Sequence, residues 1–349
     1  MSTAPLTLDV DDVDEVSWEY ARRGWSDGLP IVPPTPERVA RMLAGVTDPE
    51  RLIAVLPPRN GRATIEMIAV NAVMAGCRPE YLRVVVAALT ALGQPAFNLR
   101  SIQATTHPAS PLLIVNGPIR QELGVHGGSG CFGAGFLANA TIGRAVRLVL
   151  RNVGGGIPGS GDRATHGHPG KYSYCIAENE EENPWQPLHV DRGFDAGANT
   201  VTVIGCEAPH NINNHVGDTA EHILGTCADG MIDLGTNNPF ATKTTQMTLV
   251  LCPEHAATVA GDGWSKDDVR KYLYERARRT LRELKTGGLW NMHSWPNWYD
   301  VEHDDARLPV VSDPSNFVIV VAGGEGKHST VLPTTGSTRS VTVEIPALL

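Results

Sequence analysis

The chain has 349 residues, 38 acidic against 29 basic, and a formal net charge of −9 at pH 7. That balance argues against nucleic acid or an anionic membrane as partner, because both need clustered Lys and Arg. No apolar run approaches the ~18–20 residues of a membrane span. The apolar fraction of 42% suffices for a sizeable core, and the length suits one large α/β unit or two lobes. The N-terminus has neither a basic region nor an apolar core region, so no secretory signal is expected. Six scattered cysteines, at 77, 131, 175, 206, 227 and 252, form no C-x-x-C pair. They predict a reduced, cytoplasmic protein without disulfides or a zinc ribbon.

In chain order, a loose arm precedes a helix over Val13–Arg23, with Val13, Val16 and Tyr20 near helical spacing. Gly24–Thr35 holds three prolines and two glycines and reads as an ordered turn. Thr35 with Pro36 behind it predicts a capped helix to Leu43. A short strand at Leu52–Leu56 and a loop at Pro57–Ala63 follow, and then Thr64 caps a helix to Ala75. A second helix spans Pro79–Leu92. Segments SIQATTH (101–107) and PLLIVNG (111–117) read as strands. A glycine-rich loop over 124–137 opens a helix at Asn139–Asn152, which the Gly154–Gly156 run stops. Residues 154–198 lack regular period, and excursions of that length tend to be functional. Strands are expected at Thr200–Gly205, Thr245–Leu251, Phe317–Ala322 and Ser340–Ile345. Helices are expected near Asp218–Ala228 and over Lys266–Lys285. The segment IAVLPP with its following helices resembles LVLCPE with its own, a weak internal repeat. The fold prediction is α/β, with mixed sheets flanked by helices, as one unit over 1–349 with related lobes at 1–123 and 124–349 as an option.

Four constellations could carry chemistry. Cys131 sits in a loop with six glycines in fourteen positions, where backbone N–H groups could stabilise a thiolate or an oxyanion and His126 could act as base. A small apolar plug is the bland alternative. The segment THGHPGKYSYC (165–175), continued by ENEEE (178–182), crowds His166, His168, Lys171, Tyr174, Glu178 and Glu181 into one stretch. Histidines at i, i+2 on a non-helical segment point the same way. In HNINNHVGDTAEH (210–222), His210, His215, Asp218 and His222 supply a possible first-row metal set, with His166 and His168 as further ligands. GGEGKHST (323–330) departs from the phosphate-loop pattern, and no G-x-G-x-x-G joins a strand to a helix, so no nucleotide cofactor is expected. The loop Arg59-Asn60-Gly61-Arg62 offers two guanidinium forks for a carboxylate or phosphate.

The blocks RRGWSDGLPIVPPT, LPPRNGRATIE, ANATIGRAVRL and GHPGKYSYC resemble a bacterial family similar to the long N-terminal part associated with UGSC-type (seleno)proteins. The chain carries Gly128-Ser129-Gly130-Cys131 and no Cys-Gly-Ser-Cys. The resemblance therefore implies enzymatic activity but not dithiol or selenol redox chemistry. A UGSC-type protein partner, with this chain as a non-catalytic subunit, is the alternative it implies.

The leading expectation is a cytosolic enzyme, a hydrolase or lyase, acting on a small polar organic substrate. Catalysis is assigned to Cys131, His107, His168, Lys171, Glu178 and Glu181. Substrate binding is assigned to Arg59, Asn60, Arg62, Asn139, Arg144 and Tyr174. The rival is a metal-dependent enzyme using the His/Asp set and a divalent metal. The Gly124–Phe136 loop, the His166–Glu181 segment and the Arg59–Arg62 loop are expected to meet in one pocket, with His107 nearby. The aromatic stretch Trp290–Trp298 predicts a substrate mouth or a homo-oligomer interface.

Overall fold

The computed structural model describes residues 12–235, 245–287 and 302–349. The tryptophan-rich stretch Trp290–Trp298 lies outside them. The first helices are α1 (Val13–Arg22) and α2 (Pro36–Met42), followed by strands β1 (Leu52–Leu56) and β2 (Gly61–Thr64). Helices α3 (Ile65–Ala75), α4 (Leu82–Leu92) and α5 (Leu99–Gln103) lead to β3 (Ser110–Asn116). Next come α6 (Ile119–Leu123), α7 (Leu137–Asn152), β4 (Cys175–Ala177), α8 (Leu188–Asp191) and β5 (Thr200–Cys206). The second half contains β6 (His210–Asn213), α9 (Ala220–Gly230), β7 (Met247–Leu251), α10 (Pro253–Gly261) and α11 (Lys266–Arg276). It closes with β8 (Arg278–Thr280), α12 (Leu281–Thr286), β9 (Arg307–Pro309), β10 (Phe317–Val321), β11 (His328–Pro333) and β12 (Val341–Glu344).

The fold is α/β. Two four-stranded mixed sheets, ordered β4-β3-β5-β12 and β10-β7-β11-β6, face each other. In each, the first pair is parallel and the other two are antiparallel. Side-chain alternation builds the layers. In β3, Leu112 and Ile114 join β10's Val318 and Val320 in the core between the sheets. Leu113 and Val115 instead face α3, α4 and α7. In β10, Phe317, Ile319 and Val321 face the layer of α9, α10 and α11. A strand buried on both faces reads as a continuous apolar run, which is what both parallel pairs show. The result is a helix–sheet–sheet–helix stack.

Local chemistry explains many boundaries. The Thr35 and Thr64 hydroxyls accept from the N–H groups of Arg38 and Met67, capping α2 and α3 as their sequences predict. Other expectations need correction. SIQATTH is not a strand, since its first residues form α5. The single helix over 266–285 breaks at Ala277 into α11, β8 and α12, because β8 pairs with the distant β9. Residues 57–63 are not all loop, since β2 pairs back onto β1. That ribbon also removes β1 as the counterpart of β7; by sheet position the counterpart is β3. The candidate boundary at 123/124 falls between β3 and β4, which are hydrogen-bonded neighbours. Among the described residues no single helix is long and apolar enough to cross a membrane. The bent apolar pair around α4 and α5 contributes Val84, Val85, Leu89 and Ile102 to the core.

Candidate functional site

Helix α7 places Arg147 and Arg151 one turn apart, over the irregular segment 156–172. Between them lies a cavity of about 400 Å³, lined also by Asp27, Asp162, His166, His168 and Lys171. Asp162 is buried at 5% exposure and organises this wall. Its carboxylate accepts from Lys171 Nζ at 2.7 Å and from the Ala164 N–H at 3.0 Å, with Arg147 Nη2 at 3.7 Å. Arg147 also donates from Nε to the Lys171 carbonyl and from Nη1 to Gln103 Oε1. A buried carboxylate held by two cations meets the requirement that interior charges be paired. Burial lowers the Lys171 pKa and the charge of Arg147 lowers it further, against the opposing pull of Asp162.

His168 caps the short turn Pro169–Lys171, and its Nδ1 accepts from the Gly170 N–H at 3.1 Å. Burial, reinforced by Lys171, lowers its pKa to about 4. The imidazole is therefore neutral at pH 7, with its proton on Nε2. That Nε2 is buried and makes no hydrogen bond to any described residue, although the nearby Cys206 backbone favours its protonation. Gly170 is required beside it, because a Cβ there would stand 2.5 Å from His168 Cε1 and 2.7 Å from the Tyr174 ring. Arg151 donates from Nη2 to the Gly24 carbonyl, while its Nε, on the same wall, is buried and has no partner among the described residues. Both unmet groups are donors. The neighbouring acids are engaged, Asp162 as described and Asp27 by the Arg144 fork at 2.8 Å.

A second cavity, of about 280 Å³, contains Cys131, Phe132, Asn211, Gly323 and His328. Burial pushes the Cys131 thiol up to about 11, against a smaller opposing pull from the backbone of Phe132, Cys131 and Gly323; the Cys131 and Gly323 N–H groups are themselves donated to the Gly128 and Gly127 carbonyls. His328 Nδ1 is 2.9 Å from Asn211 Oδ1, and its Nε2 is 3.1 Å from His215 Nε2. His126, the expected base, stacks on Phe136 and bonds the Ser129 carbonyl instead. Cys131 and His168 thus line different cavities. The Tyr174 ring stands between them, 6.0 Å from Phe132 and 5.5 Å from His168, with its hydroxyl donating to the Glu207 carbonyl.

The other expected site residues have different partners. Glu178 is fully buried and meets no imidazole among the described residues; it accepts from Asn116, Asn183 and the Leu188 N–H, and more distantly from the Val321 N–H. Glu181 forks with Arg120 and accepts from Gln121. Asn139 clamps the glycine-rich loop through the His126 backbone and the Cys131 carbonyl. Arg144 ties Asp27, Leu29 and Pro30 to α7. Arg59, Asn60 and Arg62 are exposed and line neither cavity. His107 bonds Glu207 at 2.6 Å and Thr335 at 2.9 Å, so both its nitrogens are engaged.

The proposed metal set is dispersed. His166 is at the first cavity, His210 is on β6, His215 faces His328, and His222 bonds Asp218 on the exposed start of α9. Among the described residues, no three His, Cys, Asp or Glu side chains are grouped as a metal ion would need. Arg147, Arg151 and Asp162 were missed in the sequence. The i, i+4 arginine pair on α7 was the available signal. The chain matches no protein-family model, and no curated protein matches it.

Proposed function

We propose that the protein is an enzyme, a hydrolase or lyase, acting on a small organic molecule that carries an anionic group, with the cavity beneath α7 as its active site. One observation carries this reading: a buried Arg147–Asp162–Lys171 ion cluster shares that cavity with a neutral imidazole. In the reaction, side-chain movement on binding would uncover Arg151 Nε and the His168 Nε2–H, both shut off in the free protein, so that they meet the substrate's acceptor oxygens. His168 then acts as an electrophilic donor rather than a base, because its one lone pair is held by the Gly170 N–H. Proton transfer falls to Lys171. Its lowered pKa makes the ammonium a better acid, and Asp162 at 2.7 Å holds it in place. The acidic charge and six unpaired cysteines support a cytoplasmic setting.

A panel of small hydroxy-, amino- and halo-carboxylates and their amides, incubated with the protein in D2O and followed by proton NMR, tests the proposal. Consumption of a panel member, or deuterium uptake beside its carboxylate, is expected from the wild type. Lys171→Met should lower that rate by about 10²–10⁴-fold, the usual worth of a positioned proton-transfer group. Turnover that persists in Lys171→Met and His168→Ala would refute this site. Thiol chemistry at Cys131 is the second reading, favoured by its place among Gly130, Gly133 and Gly323 in the lining of the second cavity. Activity lost in Cys131→Ser yet retained in Lys171→Met would move the reaction to the second cavity.

A further inference from the structure

A third cavity, of about 560 Å³, draws Arg192 from the end of α8, Arg270 and Lys271 from α11, Ser315 from the turn before β10, and Arg339 and Ser340 from the segment before β12. Its acids are already occupied. Asp191 accepts from Lys266 at 2.9 Å and Arg270 at 3.1 Å, Asp267 accepts from Arg270 at 2.7 Å, and Asp313 accepts from the backbone and hydroxyl of Ser315. Among the described residues, two guanidiniums are left with neutral hydrogen-bond partners. Arg192 Nη2 donates to Ser340 Oγ at 2.6 Å, and Arg339 Nη2 donates to Asn316 Oδ1 at 3.0 Å. Arg192 is part-buried, and burial together with the charges of Arg270 and Arg339 lowers its pKa, against the opposing charge of Asp191. Like charges gathered in a concave site, and contributed by three separate segments, are stabilised by a multivalent anion.

We infer that this cavity is a binding site for a small phosphorylated molecule, whose phosphoryl oxygens would be held by Arg192 and Arg339, with Arg270 alongside. Guanidiniums from different elements surround a tetrahedral oxyanion from several directions, whereas a flat carboxylate is satisfied by one fork. The cavity exceeds what one phosphate fills, which leaves room over Gln246 and Pro314 for the organic part of the ligand. The site is separate from the proposed active site and shares no lining residue with it.

Calorimetric titration of the full chain with inorganic phosphate and with pyrophosphate, at fixed ionic strength set by chloride, tests the inference. Saturable binding of at least one of them is expected at millimolar concentration or below. Arg339→Ala, at an exposed position, should weaken it by about tenfold or more, the worth of one charge-assisted contact. Arg192→Gln should do the same, and Arg192→Lys should restore part of the loss. Thermal unfolding should show a phosphate-dependent rise in Tm that both neutral variants lose. Absence of saturable heat with both anions, or affinity unchanged in Arg339→Ala and Arg192→Gln, would overturn the site. A response reproduced by the same concentration of chloride would overturn it as well.

Discussion

His168 carries its proton on the nitrogen that has no partner, and this has a consequence for acid stability. The unfolded imidazole titrates near 6.5 and the folded one near 4. Between those values the unfolded chain binds more protons, so stability falls as pH drops through that window and is unaffected by this group above it. With screening by the open cavity, the contribution is on the order of 1–3 kcal/mol. His168→Gln should therefore narrow the gap between urea midpoints measured at pH 7 and just above pH 4. An unchanged gap would show that this imidazole is not held neutral. The sequence marked His168 and Lys171 because they stand close together in one segment. It did not mark their companions. Arg147 and Asp162 lie fifteen positions apart, on a helix and in a loop, and an arginine destined for a buried ion cluster looks no different in a sequence from one destined for solvent. The i, i+2 rule also misled. His166 is exposed while His168 turns back to cap its own turn, so the two imidazoles do not share one direction.

At the scale of elements, Glu178 ties the two sheets together. It follows β4 of one sheet and accepts, at 3.4 Å, from the N–H of Val321 at the end of β10 in the other. Its closer partners are Asn116 at 2.6 Å and the Leu188 N–H at 2.7 Å. Removing the carboxylate leaves several buried donors unmet. Glu178→Ala should cost about 3–5 kcal/mol, read as a lower urea midpoint. Each oxygen accepts from two donors, Oε2 from Asn116 and the Leu188 N–H and Oε1 from Asn183 and the Val321 N–H, so Glu178→Gln, which turns an NH2 group onto one of those pairs, should also be strongly destabilising. A Glu178→Gln variant as stable as the wild type would show that the acceptors on one oxygen are dispensable. Elements governed by local chemistry were legible, as with the threonine caps of α2 and α3. Those governed by distant pairing were not. β8 exists because residues near 308 come back to pair with it, and β6 because β11, more than a hundred residues later, offers it an edge. In α5, Leu99 and Ile102 bury on one side of a single helical turn, a pattern too short to distinguish from a strand by period.

The two sheets repeat one plan, yet each is completed by the other's chain. After β5 the chain passes through residues 207–209 and delivers β6 to the edge of β11 in the second sheet. After β11 it passes through residues 334–340 and delivers β12 to the edge of β5 in the first. The sheets are also joined where Cys206 bridges Thr334, and where the Glu207 N–H bonds the Pro333 carbonyl. Neither sheet can be assembled from one contiguous stretch of sequence, so neither half keeps its fourth strand if the other opens. Shared burial between the sheets reinforces this, since Leu112 and Ile204 lose their covering residues when Val318 and Leu332 leave. The expected outcome is one cooperative unit. In native-state hydrogen exchange under rising urea, the slowest amides of β3 and β5 should merge with those of β7 and β10 onto a single global unfolding free energy. Deleting residues 341–349 provides the sharper test. It removes β12 and bares the edge of β5, and in a coupled molecule it should lower protection in β7 and β10 as well as in β3 and β5. If exchange in β7 and β10 were untouched by that deletion, the sheets would be independent, and the exchanged strands would be a feature of connectivity alone.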